Sequence, residues 1–287
     1  MWILFVLIYG VLKGVRDIAK KKALSGHGVV EVLFVYTLMS FIFTVPVSGN
    51  ITGVPVKEML LIAFKSFVIV IAFLCSFYAI DRMPISLYGV LDLSRVLFSM
   101  TLGIIVLKET LRVNQIVAFF FIAAGLMLLR YKPRALRNGT VSADRVAGVL
   151  YLLAFISTFL NAVSGTMDKI LMGGGNITSG QLQFWYTFFM LVYYGIYVLV
   201  TRTKIHFKEL LKNPWMWMIS VLFVVADRFL FVANSYSESR VTVMTLLKQA
   251  CCIVTILGGK FIFKEKNTLQ RFICAAIIIA GIVISVL

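Results

Sequence analysis

Ten apolar runs, each about the length that crosses a bilayer, decide what this chain can fold into. They cover residues 2–19, 29–47, 59–80, 85–107, 113–129, 146–171, 181–200, 215–235, 241–263 and 269–287. A spanning helix needs about 20 predominantly apolar residues. Inside lipid the backbone must satisfy its own hydrogen bonds, so such runs are helices. The predicted fold class is all-α integral membrane, with ten transmembrane helices. Composition agrees: 61% of residues are apolar and 14% charged, against roughly 45–50% and 25% in soluble domains. The first run begins Met1-Trp2-Ile3-Leu4 with no basic segment before it. It therefore reads as a spanning helix and not as a cleaved signal.

The net charge of +16 would suit a nucleic-acid partner, but the basic residues lie mainly in short loops between the apolar runs. That placement marks membrane orientation, so no nucleic acid is expected. Lys20, Lys21, Lys22, Arg82, Arg130, Arg137, Arg202, Lys204 and Lys264 fall on one side. Lys57, Lys108, Arg112, Lys169 and Arg240 fall on the other. The positive-inside rule then places both termini outside. Cys75, Cys251, Cys252 and Cys274 all lie within apolar runs, without metal-ligand spacing. Neither a disulfide framework nor a metal or cofactor is predicted.

The chain repeats itself. Phe263-Lys264-Glu265 echoes Leu107-Lys108-Glu109, Ala280-Gly281 echoes Ala124-Gly125, and Tyr186-Thr187 echoes Tyr36-Thr37. The expected organisation is a first five-helix repeat over 1–131, a polar linker over 132–145, and a second repeat over 146–287. Five is odd, so the second copy enters the membrane the other way round. Such inverted repeats favour alternating access around a site near the midplane.

The polar residues inside the helices point to that site. A charge at the centre of a spanning helix costs about 2.5–3.5 kcal/mol on insertion scales, and marks a pathway or a pair. Tyr9, Lys13, Arg16 and Lys20 share one helix face, as do Tyr88, Asp92, Arg95 and Ser99, Ser157, Asn161, Ser164 and Asp168, and Thr245, Lys248, Cys252 and Thr255. Steps of three and four residues put side chains on one stripe. The candidate substrate-binding residues are Lys248, Arg95, Asp92, Lys13, Tyr88 and Asn161. Lys248 and Arg95 would contact an anion, and Asp92 would be a counter-charge or proton carrier. Plainer roles compete. Asp92 and Lys248 occupy equivalent repeat positions and could pair with each other. Lys65, Arg16 and Lys20 could snorkel to the interface.

These motifs carry a resemblance. The ten helices, the doubled Leu/Phe-Lys-Glu segment and the Ala-Gly that follows each copy resemble the EamA type of the drug/metabolite transporter superfamily, over nearly the whole chain. The resemblance implies a central cavity lined by helices 1, 3, 4, 6, 8 and 9. Thr245-Leu246-Leu247-Lys248-Gln249 is similar to the ninth helix of the triose-phosphate and nucleotide-sugar transporters, where a basic residue contacts phosphate. Gln249 stands where those transporters often carry a second basic residue.

The function expected is secondary transport of a small anionic or zwitterionic metabolite across the cell membrane. The chain has no phosphate-binding G-x-x-x-x-G-K-[ST] loop, so H+ or Na+ coupling or exchange would supply the energy. A flippase for a lipid-linked phosphate is the alternative. A cationic substrate would want an aromatic cage, which these stripes do not offer. Enzymatic activity is not expected. His27 and His206 are in loops, far from any mid-helix serine, and Asp92 with Asp227 lack a Gly-x-Gly-Asp context.

Overall fold

The computed structural model describes residues 2–108, 113–130, 141–265 and 268–286. Glu109 of the first Lys-Glu pair and most of the linker lie outside the described residues. Within them the elements are helices: α1 (Trp2–Ala23), α2 (Val29–Thr44), α3 (Val56–Arg82), α4 (Ile85–Asp92), α5 (Arg95–Leu107), α6 (Val113–Arg130), α7 (Val141–Gly173), α8 (Ser179–Thr201), α9 (Phe207–Lys212), α10 (Pro214–Ser235), α11 (Val241–Lys248), α12 (Ala250–Phe261) and α13 (Thr268–Val286). A single 3-10 turn, Val45–Val47, follows α2. Among the described residues, seven stretches are long and apolar enough to cross a membrane by length and composition alone. The other three apolar runs form α1, α6 and α13. In α1 the charges Lys13, Arg16 and Asp17 interrupt the apolar stretch.

Helix ends follow local chemistry. Thr178 and Gln181 form a reciprocal capping box at the start of α8, at 2.8 and 3.2 Å, which satisfies two otherwise unpaired amides. Asn213 accepts from the Trp215 amide beside Pro214, the first residue of α10. Buried hydroxyls turn back on their own helices: Thr37 donates to the Leu33 carbonyl and Ser40 to that of Tyr36. In lipid, this satisfies the hydroxyl without an external partner. The apolar faces look outward. In α1, Leu4, Leu7 and Val11 are exposed while Lys13, Arg16, Asp17 and Lys20 are buried. This is the reverse of a helix in water and the arrangement that lipid selects.

The two halves pack equivalently. Exchange α1 with α7, α2 with α8, α3 with α10, α4 with α11, α5 with α12 and α6 with α13, and the most extensive helix contacts map onto one another. α1 lies on α10 as α7 lies on α3, and α1 on α12 as α7 on α5. α3 lies on α8 as α10 on α2, and α4 on α12 as α11 on α5. The pairs α2–α8 and α6–α13 map onto themselves. The Tyr-Thr echo has a matching structural role in each half. Ser220 of α10 donates to the Tyr36 carbonyl and Ser66 of α3 to the Tyr186 carbonyl, both at 3.3 Å.

The fourth and ninth apolar runs are not continuous helices. Each is an eight-residue half-helix, α4 or α11, followed by a longer one, α5 or α12. At the first break the Leu93 and Ser94 amides bond to the Val90 and Leu91 carbonyls. At the second the Gln249 amide bonds to Leu246 and the Cys252 amide to Gln249. These are tighter three-residue turns. They put Asp92 and Lys248 at equivalent half-helix ends.

Across the repeats, α4 and α12 approach closely at Gly89, where an added Cβ would collide with the Thr255 hydroxyl. Small residues let membrane helices come this near. Gly89→Ala is expected to destabilise by about 1–3 kcal/mol through overpacking, measured by thermal unfolding in detergent. Adding Thr255→Ala should recover part of the loss. An unshifted melting temperature for Gly89→Ala would show that Thr255 swings aside freely.

Candidate functional site

The charged stripes meet at one cavity between the halves. α1 contributes Tyr9, Lys13, Arg16, Asp17 and Lys20; α3 contributes Lys65; α4 and α5 contribute Tyr88 and Arg95. α7 adds Asn161, Ser164 and Asp168, α10 adds Asp227, and α11 adds Lys248. Five of the six candidate residues, Lys248, Arg95, Lys13, Tyr88 and Asn161, therefore line one space. The sixth, Asp92, stands behind it, where it accepts from Lys13 at 2.5 Å and Arg95 at 2.7 Å. It does not pair with Lys248, the alternative that its repeat position allowed. Tyr186 of α8 also reaches the wall, which adds helix 7 to the set that the resemblance implied.

The remaining cations depart from the snorkelling expectation. Lys65 is 1% exposed. Its ammonium lies 3.1 Å from Asp168 and 3.6 Å from the centre of the Tyr186 ring. Arg16 pairs with Asp227 at 3.2 Å and lies over the Phe223 ring. Lys20 pairs with Asp17 at 2.8 Å and sits over Phe73 and Phe77. Lys13 adds a second contact to Asp17 at 3.6 Å. The aromatic rings around the site thus hold the protein's own cations by their π faces. Arg228, also an intramembrane charge, turns away: it donates to Gln183 and to the Val47 carbonyl, both at 2.7 Å.

Lys248 is different. It is buried at the end of α11 and lines the cavity, yet among the described residues no carboxylate or hydrogen-bond acceptor meets its ammonium. It lies 5.7 Å from the centre of the Tyr9 ring. The next stripe residue, Cys252, lies beyond the break at Gln249 and is buried away from the cavity lining. Buried, unmatched and cavity-facing, this ammonium can bind an anion.

Residues 1–131 match the EamA-like transporter family. The resemblance read from the Lys-Glu and Ala-Gly segments thus holds for the first half of the chain, and the match points to a membrane transporter of the drug/metabolite type. A crystal structure of a protein aligns over 100% of this chain and 98% of its own, with a TM-score of 0.71 at 12% identity. At that identity the likeness speaks for the fold alone. No curated protein matches. Fold and match together define a multi-pass, all-α membrane protein whose first half is EamA-like.

Proposed function

We propose that this chain is a secondary transporter that moves a small anionic or zwitterionic metabolite by alternating access across the cell membrane. The observation that carries the reading is Lys248: a buried ammonium, without a counter-ion among the described residues, on the wall of a cavity between two pseudo-symmetric halves. An intramembrane charge left unmatched is costly unless a ligand completes it. Arg95 and Lys13 face the same space, and Asp92 behind them fixes their positions. Tyr88 and Asn161 offer a hydroxyl and an amide for the uncharged part of the substrate. The pseudo-two-fold packing supplies two similar ways to close around one site.

The test is thermal unfolding of the purified protein in detergent, against a panel of organic acids, amino acids, sugar phosphates and quaternary amines. A ligand at a hundredfold excess over its dissociation constant stabilises by about 2.7 kcal/mol. An anion or zwitterion is expected to raise the melting temperature of the wild type and to leave Lys248→Ala unmoved. Without ligand, Lys248→Ala should melt no lower than wild type, because it removes an uncompensated charge. Stabilisation by cations alone, or an undiminished anion response in Lys248→Ala, would overturn the reading.

A further inference from the structure

The charges around the cavity do not balance, and the imbalance is specific. Lys13, Arg16, Lys20, Lys65, Arg95 and Lys248 face Asp17, Asp92, Asp168 and Asp227, and none of these is more than 8% exposed. Two pairs close on themselves, Arg16 with Asp227 and Lys65 with Asp168. Three cations, Lys13, Lys20 and Arg95, share the two carboxylates Asp17 and Asp92. That cluster retains one positive charge. Lys248, which lines the same cavity but forms no ion pair among the described residues, holds the second.

Unused donors accompany these charges. The Nε of Arg95 is buried without a hydrogen-bond partner, and it belongs to the cluster that retains charge. The half-helix ends add little, because each break sets the carbonyl end of one half-helix against the amide end of the next. Opposed helix ends carry opposite partial charges. Two net positive charges therefore remain in a site surrounded by lipid-facing helices, one on α11 and one shared between α1 and α5. Both lie on the wall of the same cavity.

On the transporter reading given above, we infer that the molecule this site takes is a small dianion, with negative charge met by Lys248 on one side and by Arg95 with Lys13 on the other. A monoanion would leave one buried charge uncompensated. A zwitterion would leave both. Only a doubly charged ligand brings the loaded site to neutrality, the state in which burial costs least.

The experiment compares two matched series at constant ionic strength, at a pH where every acid is fully ionised: succinate with monomethyl succinate, and methyl phosphate with dimethyl phosphate. The readout is the concentration giving half-maximal thermal stabilisation, for wild type, Lys248→Gln and Lys248→Arg. The two series distinguish paired carboxylates from a single phosphate as the source of the double charge. In at least one series the dianion should act at about tenfold lower concentration than its singly charged ester, a difference of about 1.4 kcal/mol. Lys248→Gln, with one positive charge fewer, should bring the two ligands to within about twofold. Lys248→Arg should keep the preference, which guards against reading a misfolded variant as a lost charge. Equal potency of ester and dianion in wild type, or no stabilisation by either dianion, overturns the inference. If the esters act as well as the dianions and still need Lys248, the anion-transporter reading stands without it. If quaternary amines alone stabilise, both fall.

Discussion

Asp92→Asn should destabilise the protein by about 3–5 kcal/mol, the usual consequence of removing one member of a buried charge pair. Asparagine keeps the shape and removes the charge, so the variant isolates electrostatics from packing. Asp92 is 2% exposed and accepts from Lys13 at 2.5 Å and from Arg95 at 2.7 Å. Without it, three cations would share Asp17 alone. Lys13→Met in the same chain should recover at least half of the loss, because it removes the cation that Asp92 was holding. Such coupling is what a double-mutant cycle reads for residues in contact. Thermal unfolding of the four proteins in one detergent provides the cycle. Additive effects would show that Asp92 and Lys13 act independently. If Asp92→Asn instead melts like wild type and loses only proton-driven uptake in vesicles, Asp92 is a proton carrier, and its structural role here is wrong.

Glu265→Ala is expected to cost a similar amount, about 3–5 kcal/mol, because it leaves the Arg271 charge without its carboxylate in a largely buried position. Glu265 joins the halves. Its carboxylate accepts from the Ile85 amide at 2.6 Å, the Ser86 amide at 3.2 Å and the Ser86 hydroxyl, and pairs with Arg271 at 2.9 Å. A side chain from the loop after α12 thus caps the first turn of α4. A carboxylate there meets unpaired amides and the positive end of the helix dipole together. Glu265→Gln keeps one acceptor and should lose only about 1–3 kcal/mol. Hydrogen exchange at Ile85 and Ser86 gives the local readout: protection should fall in Glu265→Ala and partly return in Glu265→Gln. Unchanged protection in both variants would show that α4 is capped by something else.

The Lys-Glu echo illustrates what the sequence made legible and what it did not. Its recurrence marked the repeat, and both lysines adopt the left-handed conformation, at φ 53° for Lys108 and 50° for Lys264. Nothing in one strand of sequence says that Glu265 reaches Ile85, 180 residues away. The same limit applies at the cavity. Stripe spacing on α1 identified Tyr9, Lys13, Arg16 and Lys20, since helical geometry is local. Lys65 lies near one end of its apolar run, where snorkelling to the interface competes with a place in the cavity; its partner Asp168 comes from α7 and is visible only in three dimensions. The breaks after Asp92 and Lys248 were hidden for another reason. Neither contains proline or glycine, and the chain turns by tightening its hydrogen bonds. The stripe Lys248-Cys252-Thr255 therefore looked continuous, although only Lys248 lines the cavity.

Those two breaks also say something about handedness of recognition. α4 ends in Asp92 and α11 ends in Lys248, the same place in two copies of one design. A dimer of identical five-helix chains would carry the same residue at both places, and its site would look alike from either half. Joining the copies in one polypeptide frees the two positions to take opposite signs. On the proposed reading both faces of the cavity are positive but unlike: one presents the lone Lys248 ammonium, the other Lys13 and Arg95 held from behind by Asp92, so a substrate with distinguishable ends would meet two different contacts.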